Sequence, residues 1–375
     1  MIFLFAALIG IYLLFSIVLA IGIYRLPISK KIDTNFPYVS VLVSCRNEER
    51  DVKKCIDSLI DLDYPKDKLQ VILNDDFSTD STLEILKDAS SHHTYIEAYS
   101  SSDFPTNHLE AKARGIANAA TKATGEWLFI TDADCEVPNS WLRHMLDGVT
   151  DKTGIITGAM DTRNDTFIGV LERIASGGRL LFGFGLSGYG LSFHALGPNM
   201  AIRHSVYKEG GGLEKADFRI AEDIALFKLS HNLGYKTKYH FDEFTRVITS
   251  PVSNLDQLHS QQIRWLKGGF EGEKSDLTLI FVIFILELIF FPMLLGFIYL
   301  FIADIATALQ FLLIKILSES IMAVTFRHRL KVKRLLRYIP IAVIYTFYIY
   351  TWLPLVPLIK KNTEWKGEDY EVKYD

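Results

Sequence analysis

Three pairs of acidic residues stand where an apolar run ends or a helical pattern begins. They are Asp75 with Asp76, Asp132 with Asp134, and Glu222 with Asp223. Aspartate is common in turns and at helix N-caps, so any one pair alone has a structural explanation. Two carboxylates in a D-x-D pattern beyond a buried strand project to the same side and can hold Mg²⁺ or Mn²⁺, which prefer oxygen ligands. The three pairs together indicate a site for a divalent metal and a phosphorylated substrate.

Apolar runs of strand length alternate with helical patterns between Pro37 and about Tyr239. The first run is followed by Asn47, which is predicted to be the N-cap of a helix. Strands are predicted over 39–45, 69–74, 95–99 and 126–131, and helices over 80–89 and 109–122. Strands separated by helices of this length predict βαβ units and a parallel sheet. Since ligands bind at the carboxyl ends of the strands in such sheets, the acidic pairs lie where a site is expected.

Hydrophobic residues make up 49% of the 375-residue chain, and their excess lies at its two ends. Residues 1–24 carry no charged side chain and are long enough to cross a bilayer as a helix. A cleaved signal peptide is the alternative, but the basic segment before the apolar run and the small-residue cleavage site after it are both missing. The first positive residues follow the run, which favours a cytoplasmic position for the next domain.

Further membrane segments are predicted between residues 277 and 360, in three apolar runs. These runs cover 279–303, 305–324 and about 339–359. Two ionisable residues, Glu287 and Lys315, interrupt these runs, and burying such residues in a membrane costs free energy. A basic cluster over 327–337 indicates either a topogenic signal or a surface that contacts anionic lipid.

The predicted organisation is a transmembrane helix (1–24), a cytoplasmic domain (37–270), transmembrane or interfacial helices (277–360) and a polar tail (361–375). We therefore expect a multi-pass protein of the cell (inner) membrane. The net charge of −4 gives no reason to expect nucleic acid as a partner. The three cysteines lack the spacing of metal ligands, and we interpret them as reduced thiols of a cytoplasmic domain.

An ordered set of motifs spans residues 39–269. It consists of VSVLVSCRNEE (39–49), NDDFSTDST (74–82), EAKARG (110–115), TDADC (131–135), GPNMAIR (197–203), AEDIAL (221–226) and QQIRWLKGG (261–269). In this set the chain resembles family 2 glycosyltransferases, and most closely their membrane-bound branch. That branch contains ceramide glucosyltransferases, carotenoid glycosyltransferases and poly-N-acetylglucosamine, hyaluronan and cellulose synthases. The resemblance implies an α/β fold of the GT-A nucleotide-diphospho-sugar transferase type, with a Rossmann-like mixed sheet, plus transmembrane helices.

The resemblance also assigns roles to single residues. The strand end with Ser44, Arg46 and Glu48 would line the nucleotide pocket, and Asp76 would accept a hydrogen bond from the base. Lys112 would lie near the nucleotide, Asp132 would face the donor and the metal, and Asp134 would ligate the metal. Glu222 and Asp223 would be catalytic, with Asp223 as the general base. Gln261, Arg264 and Trp265 would hold the diphosphate and the acceptor end.

Two stretches need separate interpretation. The glycine that usually follows the aspartate pair is Phe77 here, which narrows the expected base pocket. Residues 177–197 are rich in glycine and aromatic residues, and we predict a loop or broken helix at the membrane face, with a buried core segment as the alternative.

The expected function is metal-dependent, inverting transfer of a sugar from a nucleotide-sugar, a UDP-sugar, to an acceptor hydroxyl on a membrane lipid. The metal is expected to be Mg²⁺ or Mn²⁺. The enzyme alternative is a processive polysaccharide synthase that extends a glycan acceptor, although few spans are left for a polymer channel. The other alternative is a non-catalytic membrane scaffold that retains the fold.

Overall fold

The computed structural model describes residues 2–29, 36–105, 107–163, 165–192, 194–216, 218, 221–268, 277–352, 362–365 and 368–371. In chain order its helices and strands are α1 (Ile2–Arg25), β1 (Val39–Cys45), α2 (Val52–Ile60), β2 (Leu69–Asp75), α3 (Thr82–His92), β3 (Ile96–Ser100), α4 (Ala111–Lys122), β4 (Trp127–Asp132), β5 (Cys135–Glu136), α5 (Trp141–Met145), β6 (Thr153–Gly158), β7 (Met160–Thr162), α6 (Phe167–Ser187), β8 (Met200–Arg203), α7 (His204–Glu209), α8 (Glu222–Asn232), β9 (Lys236–His240), β10 (Val247–Thr249), α9 (Leu255–Gly268), α10 (Leu277–Ala303), α11 (Ile305–Leu330), α12 (Ile339–Trp352), β11 (Asn362–Trp365) and β12 (Glu368–Glu371).

Contacts within the chain divide it into two units. The sheet unit comprises Pro27–Asp161 and Ser192–Ser250, and the helical unit comprises Met1–Leu26, Thr162–Leu191 and Pro251–Asp375. The range 37–270, predicted for the soluble domain, therefore includes two segments that pack within the helical unit.

A seven-stranded sheet with the order β3-β2-β1-β4-β8-β6-β9 forms the centre of the sheet unit. Strands β1 to β4 are parallel, as the alternation of strands and helices predicts. Strand β8 runs antiparallel to both of its neighbours, β4 and β6, and β9 is parallel to β6. The sheet is therefore mixed, as the resemblance implied.

Helices cover both faces of this sheet, so the central strands are apolar on both sides. In β1, Val41 and Val43 pack into one core with α2 and α3, and Leu42 packs into a second core with α4 and α8. This division follows from the alternation of side chains along a strand. It explains why β1, β2 and β4 read as continuous apolar runs in the sequence.

The register of the parallel strands brings their carboxyl ends to one edge. Ser44 near the end of β1 pairs with Asn74 of β2 on one side and with Asp132 of β4 on the other. The residues that follow these strands therefore share that edge. Ligands bind there in open α/β sheets.

The prediction of Asn47 as a helix N-cap is wrong. Helix α2 begins at Val52, and Asn47 adopts a left-handed conformation with φ of 52°. Its side-chain oxygen accepts the N–H group of Thr79 at 2.8 Å. Asn47 therefore stabilises the contact between two loops at the carboxyl edge of the sheet.

The prediction of a loop or broken helix over 177–197 is wrong for its first half, because α6 continues to Ser187. The glycines of α6 permit close contact with α1. A Cβ atom on Gly185 would lie 2.8 Å from Cδ2 of Leu19, and one on Gly188 would lie 1.9 Å from the carbonyl oxygen of Gly22. Small residues at a helix–helix contact offset the low helix propensity of glycine.

Among the described residues, two helices are long and apolar enough to cross a membrane, α1 (Ile2–Arg25) and α11 (Ile305–Leu330). The helix α11 is longer than the predicted span of 305–324 and includes the first arginines of the basic cluster. Helix α10 covers the predicted span of 279–303. Helix α12 forms the first part of the predicted run over 339–359, and residues 353–359 lie outside the described residues.

Lys315, the ionisable residue within the apolar run of α11, forms an ion pair and hydrogen bonds inside the helical unit. Lys315 is fully buried and forms an ion pair with Glu319, one turn later. Its Nζ atom also donates to Oγ1 of Thr346 on α12 at 2.9 Å and to the hydroxyl of Tyr12 on α1 at 3.3 Å. The hydroxyl of Tyr12 donates to Glu319 at 2.8 Å. This network, Tyr12–Lys315–Glu319–Thr346, satisfies a charge that an apolar helix could not otherwise bury.

Candidate active site

A lysine connects two of the three acidic pairs at the carboxyl edge of the sheet. The Nζ atom of Lys112, on α4, lies 2.5 Å from Oδ1 of Asp132 and 2.7 Å from Oε1 of Glu222. Burial lowers the pKa of Lys112, but the two carboxylates outweigh this effect and raise the pKa above its usual range. The ammonium group therefore stays charged and holds α4, β4 and α8 together.

Asp223 lies beside Glu222 in the first turn of α8. Its Oδ2 atom accepts the N–H group of Gly197 at 2.9 Å, and its Oδ1 atom accepts the N–H group of Ile224 at 2.8 Å. Burial and the neighbouring Glu222 raise the pKa of Asp223 to about 6, although Lys112 and both N–H groups favour the charged form. A carboxylate with this pKa is ionised at neutral pH and accepts a proton more readily than an ordinary aspartate.

Gly197 is a site residue that the sequence indicated only as part of the GPN motif. A Cβ atom on Gly197 would lie 2.8 Å from Nζ of Lys112 and 3.0 Å from Oε1 of Glu222. The buried Asn199 fixes this segment, because its side chain accepts the indole N–H of Trp141 at 2.8 Å and donates to two backbone carbonyl groups, both at 2.7 Å. The motif thus supplies space at Gly197 and rigidity at Asn199.

Asp132, Asp134 and Cys135 form a group of candidate metal ligands. One ligand atom from each lies within 4.8 Å of the others. Burial, followed by the charges of Asp134 and Asp132, raises the pKa of the Cys135 thiol well above its usual range, so this thiol is protonated and a poor ligand for a hard cation. The two carboxylates fit Mg²⁺ or Mn²⁺, which complete their coordination with water and substrate phosphates.

Asp76 is buried and bound to arginine. Arg114 donates to both of its carboxylate oxygens, from Nε at 2.7 Å and from Nη2 at 2.9 Å. The hydroxyl of Ser101 donates to Oδ1 at 2.9 Å, and Nη1 of Arg46 lies 3.7 Å from Oδ2. The bidentate geometry fixes Arg114 at this edge of the sheet. The predicted contact between Asp76 and a base stays a prediction.

Phe77 stands where the resemblance leads one to expect glycine, and it has a backbone conformation that glycine adopts readily. Its φ is 58°, in the left-handed region that non-glycine residues seldom adopt. Its side chain is 48% exposed, and the guanidinium carbon of Arg114 lies 5.0 Å from the centre of the ring. A strained residue with an exposed aromatic ring points to a functional role at this position.

This strain gives a stability prediction. We expect the Phe77→Gly variant to be more stable than the Phe77→Ala variant by about 1 kcal/mol, because both lose the ring but only glycine adopts φ of 58° without strain. Thermal unfolding of the two purified variants measures the difference.

The matched control is the same pair of substitutions at Phe104, whose φ is −115°. There the alanine variant should be at least as stable as the glycine variant, since glycine loses more conformational entropy on folding. Equal melting temperatures for the two Phe77 variants would contradict the prediction.

Ser44 and Glu48 lie at the end of β1 and in the loop after it. A Cβ atom on Gly115 would lie 2.1 Å from Oγ of Ser44, so the glycine lets α4 pack closely against β1. The backbone N–H of Glu48 donates to Oγ1 of Thr82 at 2.8 Å. Both residues therefore lie at the edge that also carries Asp132, and their predicted contact with the nucleotide stays a prediction.

The Q-x-x-R-W residues lie on α9, in the helical unit. Nε2 of Gln261 donates to Oε1 of Glu172 at 3.2 Å, and the guanidinium carbon of Arg179 lies 3.8 Å from the centre of the Trp265 ring. Arg264 is half-buried on the same helix. These contacts place the motif against α6, and its predicted contacts with the diphosphate and the acceptor stay predictions.

The mixed sheet, with acidic groups at the carboxyl ends of its parallel strands, defines a GT-A-type fold. The chain belongs to glycosyl transferase family 21, because the sequence profile of that family matches residues 3–375. The resemblance to membrane-bound glycosyltransferases is therefore confirmed.

Two curated relatives belong to the branch that the motifs indicated. The Staphylococcus epidermidis protein named poly-beta-1,6-N-acetyl-D-glucosamine synthase is 27% identical over 244 residues, which are 62% of this chain and 55% of the relative. The beta-monoglucosyldiacylglycerol synthase of a Nostoc species is 30% identical over 117 residues, which are 31% of this chain and 24% of the relative. The chain thus spans about half the length of the first of these relatives.

A solved structure has the same fold. It is a mannosyltransferase from Pyrobaculum calidifontis in complex with GDP-Man and Mn²⁺, with a TM-score of 0.51 and 19% identity. The alignment covers 93% of this chain and 97% of the mannosyltransferase. The likeness confirms the predicted fold class.

Proposed function

We propose that the protein transfers one sugar from a nucleotide-diphospho-sugar to a hydroxyl group of a membrane lipid, with inversion and with Mg²⁺ or Mn²⁺. The observation that carries the proposal is the arrangement at the carboxyl edge of the sheet, where Asp223 lies beside the ion pairs of Lys112 with Asp132 and Glu222. The raised pKa of Asp223 suits a general base. Lys112 pairs with Glu222, the neighbour of Asp223, and with Asp132, which is proposed to face the donor.

In the proposed reaction the carboxylate of Asp223 accepts the proton of the acceptor hydroxyl as its oxygen attacks the anomeric carbon of the donor. The diphosphate leaves on the opposite face, which inverts the configuration. Gly197 and Ile224 orient the carboxylate through their N–H groups. The fixed geometry keeps the base ready for the acceptor before the acceptor binds.

The leaving diphosphate needs positive charge. Asp132 and Asp134 would hold the Mg²⁺ or Mn²⁺ ion, which supplies charge stabilisation to the diphosphate oxygens when it is bound. Lys112 keeps Asp132 and Glu222 in place and adds a second positive charge beside them. Arg264 of α9 is proposed to supply a third positive charge to the diphosphate, because a guanidinium group pairs with phosphate oxygens at two points.

The nucleotide base is proposed to lie near Asp76 and Phe77. The exposed ring of Phe77 gives a flat apolar face beside the buried Asp76–Arg114 pair. A flat aromatic ring suits a base, which stacks on it irrespective of its hydrogen-bonding pattern.

A lipid acceptor is supported by the two apolar helices of membrane-spanning length and by the relative named as a beta-monoglucosyldiacylglycerol synthase. The proposed location is the cell membrane, with several spans and a cytoplasmic sheet unit. The relative named as a poly-N-acetylglucosamine synthase favours a second candidate, a processive polysaccharide synthase with a glycan acceptor.

Incubation of membranes that carry the protein with a panel of labelled nucleotide-sugars tests the proposal. We expect label in the organic phase, on a lipid whose chromatographic shift equals one sugar. Membranes with the Asp223→Asn variant should incorporate it at least about a hundredfold more slowly. Label in a water-soluble polymer would favour the processive synthase, and label on small soluble molecules would contradict the lipid acceptor. If the purified protein neither transfers nor hydrolyses any donor, the non-catalytic scaffold is correct.

A further inference from the structure

A basic patch lies at one end of the helical unit, where α11 turns into α12. Its exposed cationic side chains come from the end of α1, the end of α11 and the turn that follows; they are Arg25, Arg327, Lys331, Lys333, Arg334 and Arg337. The buried Arg329 donates from Nη2 to the carbonyl oxygen of Leu26 at 3.0 Å, and the rings of Tyr24 and His328 lie 5.6 Å apart. The ends of α1 and α11 therefore share one surface.

The turn after α11 holds its cations in a fixed arrangement. Its apolar side chains point inward, since Leu330, Val332 and Leu335 are buried, and the cations between them are exposed. Lys331 and Arg334 have φ of 53° and 59°, in the left-handed region that is unfavourable for residues other than glycine. The turn thus keeps charged side chains at two positions that glycine would occupy with less strain.

The charge of the basic patch is not compensated within the part of the chain that the structure describes. None of its six cations takes part in an ion pair with a described residue. The sequence has no Asp or Glu in residues 1–32 or in residues 320–363. Because like charges within one turn repel each other, an external anion would stabilise this arrangement.

Tyrosine and apolar side chains surround the basic patch. Tyr24 and Tyr189 are 47% and 38% exposed, and the guanidinium carbon of Arg25 lies 4.8 Å from the centre of the Tyr189 ring. The exposed residues of α1 before Tyr24 are all apolar. Tyrosine is enriched at the boundary between membrane and water, with lysine and arginine on the cytoplasmic side. The patch thus begins where the apolar surface of α1 ends.

We propose that the basic patch binds the phosphate groups of anionic phospholipids. The proposal rests on the proposed membrane location and not on sugar transfer. It assigns the basic cluster over 327–337 to a surface that contacts lipid, because a topogenic signal acts during insertion and needs no fixed arrangement of charges in the folded protein. An anionic headgroup offers phosphate oxygens to lysine and arginine. Inorganic phosphate offers the same oxygens, so the test separates these two sources.

Binding of fluorescent lipids to the full chain in neutral detergent micelles tests the proposal. We expect phosphatidylglycerol with a label in its acyl chain to bind the wild type at least about tenfold more tightly than phosphatidylcholine with the same label. The reason is that each lysine or arginine near an anionic surface contributes about fivefold to the affinity. The combined replacement of Lys331, Lys333 and Arg334 by Gln should abolish this preference.

Two further variants separate the charge of the patch from its folding. Replacement of Lys53, Lys87 and Lys208 by Gln removes the same charge from exposed positions of the sheet unit and should leave the lipid preference unchanged. Lys331→Arg combined with Lys333→Arg keeps the charge of the patch and should also leave it unchanged. Circular dichroism in the same detergent verifies folding. Loss of the preference in either of these two variants would contradict the proposal.

Salt and free phosphate complete the test on the wild type alone. Added salt should weaken the preference for phosphatidylglycerol, since it screens exposed charges. Equal binding of the two lipids, or a preference that salt does not alter, would overturn the proposal and leave a topogenic signal as the explanation. Calorimetry with inorganic phosphate should detect no binding. Binding of phosphate that the Gln variant of the patch lacks would assign the patch to free phosphate instead.

The outcomes for lipid binding and for the proposed function are independent, because none of these measurements uses a sugar donor. If the chain is recovered from cells in the soluble fraction without detergent, the proposed membrane location is wrong and the lipid proposal fails with it. If the chain requires detergent and binds both lipids equally, only the lipid proposal is wrong.

Discussion

Replacing Asp223 by Asn is expected to slow sugar transfer by about 10²–10⁴-fold, the usual contribution of a general base. Donor binding should change little, because the proposed base acts on the acceptor hydroxyl. Rates with saturating acceptor and calorimetric titration with UDP measure the two effects separately. A parallel loss of UDP affinity would identify Asp223 as a donor or metal ligand and contradict its assignment as the base.

The pH profile gives the same prediction a second test. Burial and Glu222 raise the pKa of Asp223 to about 6, so the wild-type rate should fall as the pH decreases through 6 and the base takes up a proton. This limb should be absent from the residual activity of Asp223→Asn. The control is Asp88→Asn, at a side chain that is 78% exposed, which should keep both the rate and the limb.

Replacing Asp134 by Ala is expected to lower activity by more than about a hundredfold at any Mg²⁺ or Mn²⁺ concentration. Even outer-shell partners of metal ligands contribute about 10–100-fold, and Asp134 is one of two proposed carboxylate ligands. Without Asp134 the ion would keep only Asp132 as a proposed carboxylate ligand, and the charge of Asp132 is partly compensated by Lys112. Metal titrations of activity, with circular dichroism to verify folding, measure the effect.

Metal binding by the protein–UDP complex provides the independent check. Calorimetry with Mn²⁺ should detect binding to the wild type and to Asp88→Ala, and should detect none to Asp134→Ala. In the wild type, excess chelator should stop turnover. Full turnover in the presence of chelator would show that the reaction needs no metal, and would contradict the assignment of Asp132 and Asp134 as metal ligands.

The parallel half of the sheet was predictable because its strands are buried on both faces. An apolar run bounded by polar residues predicted β1, β2 and β4 to within a residue or two, and the rule for parallel sheets predicted that Asp132 and Asp76 would share an edge. The antiparallel β8 was not evident from the pattern, since a four-residue strand carries little periodic signal. The resemblance implied a mixed sheet but did not indicate which strand is antiparallel.

The contacts within the site could be predicted only in part. Lys112, Asp132 and Glu222 were each candidates, but their ion pairs join elements that are distant in the chain, and no local pattern indicates such a contact. The role of Gly197 depends on the atoms that a side chain would meet. The same holds for α6, where glycine content indicated a loop and the close approach of α1 made a helix the better structure.

The Tyr12–Lys315–Glu319–Thr346 network joins parts of the chain that are synthesised at different times. Tyr12 and Lys315 are 303 residues apart, so α1 is translated long before the lysine that it binds. Truncation of α1 is a common way to make an anchored enzyme soluble. Here it would remove the hydroxyl of Tyr12, which hydrogen-bonds both Lys315 and Glu319, and leave these two buried charges with fewer hydrogen bonds. We therefore expect a chain lacking residues 2–25 to assemble poorly, and coexpression of α1 as a separate segment to restore assembly.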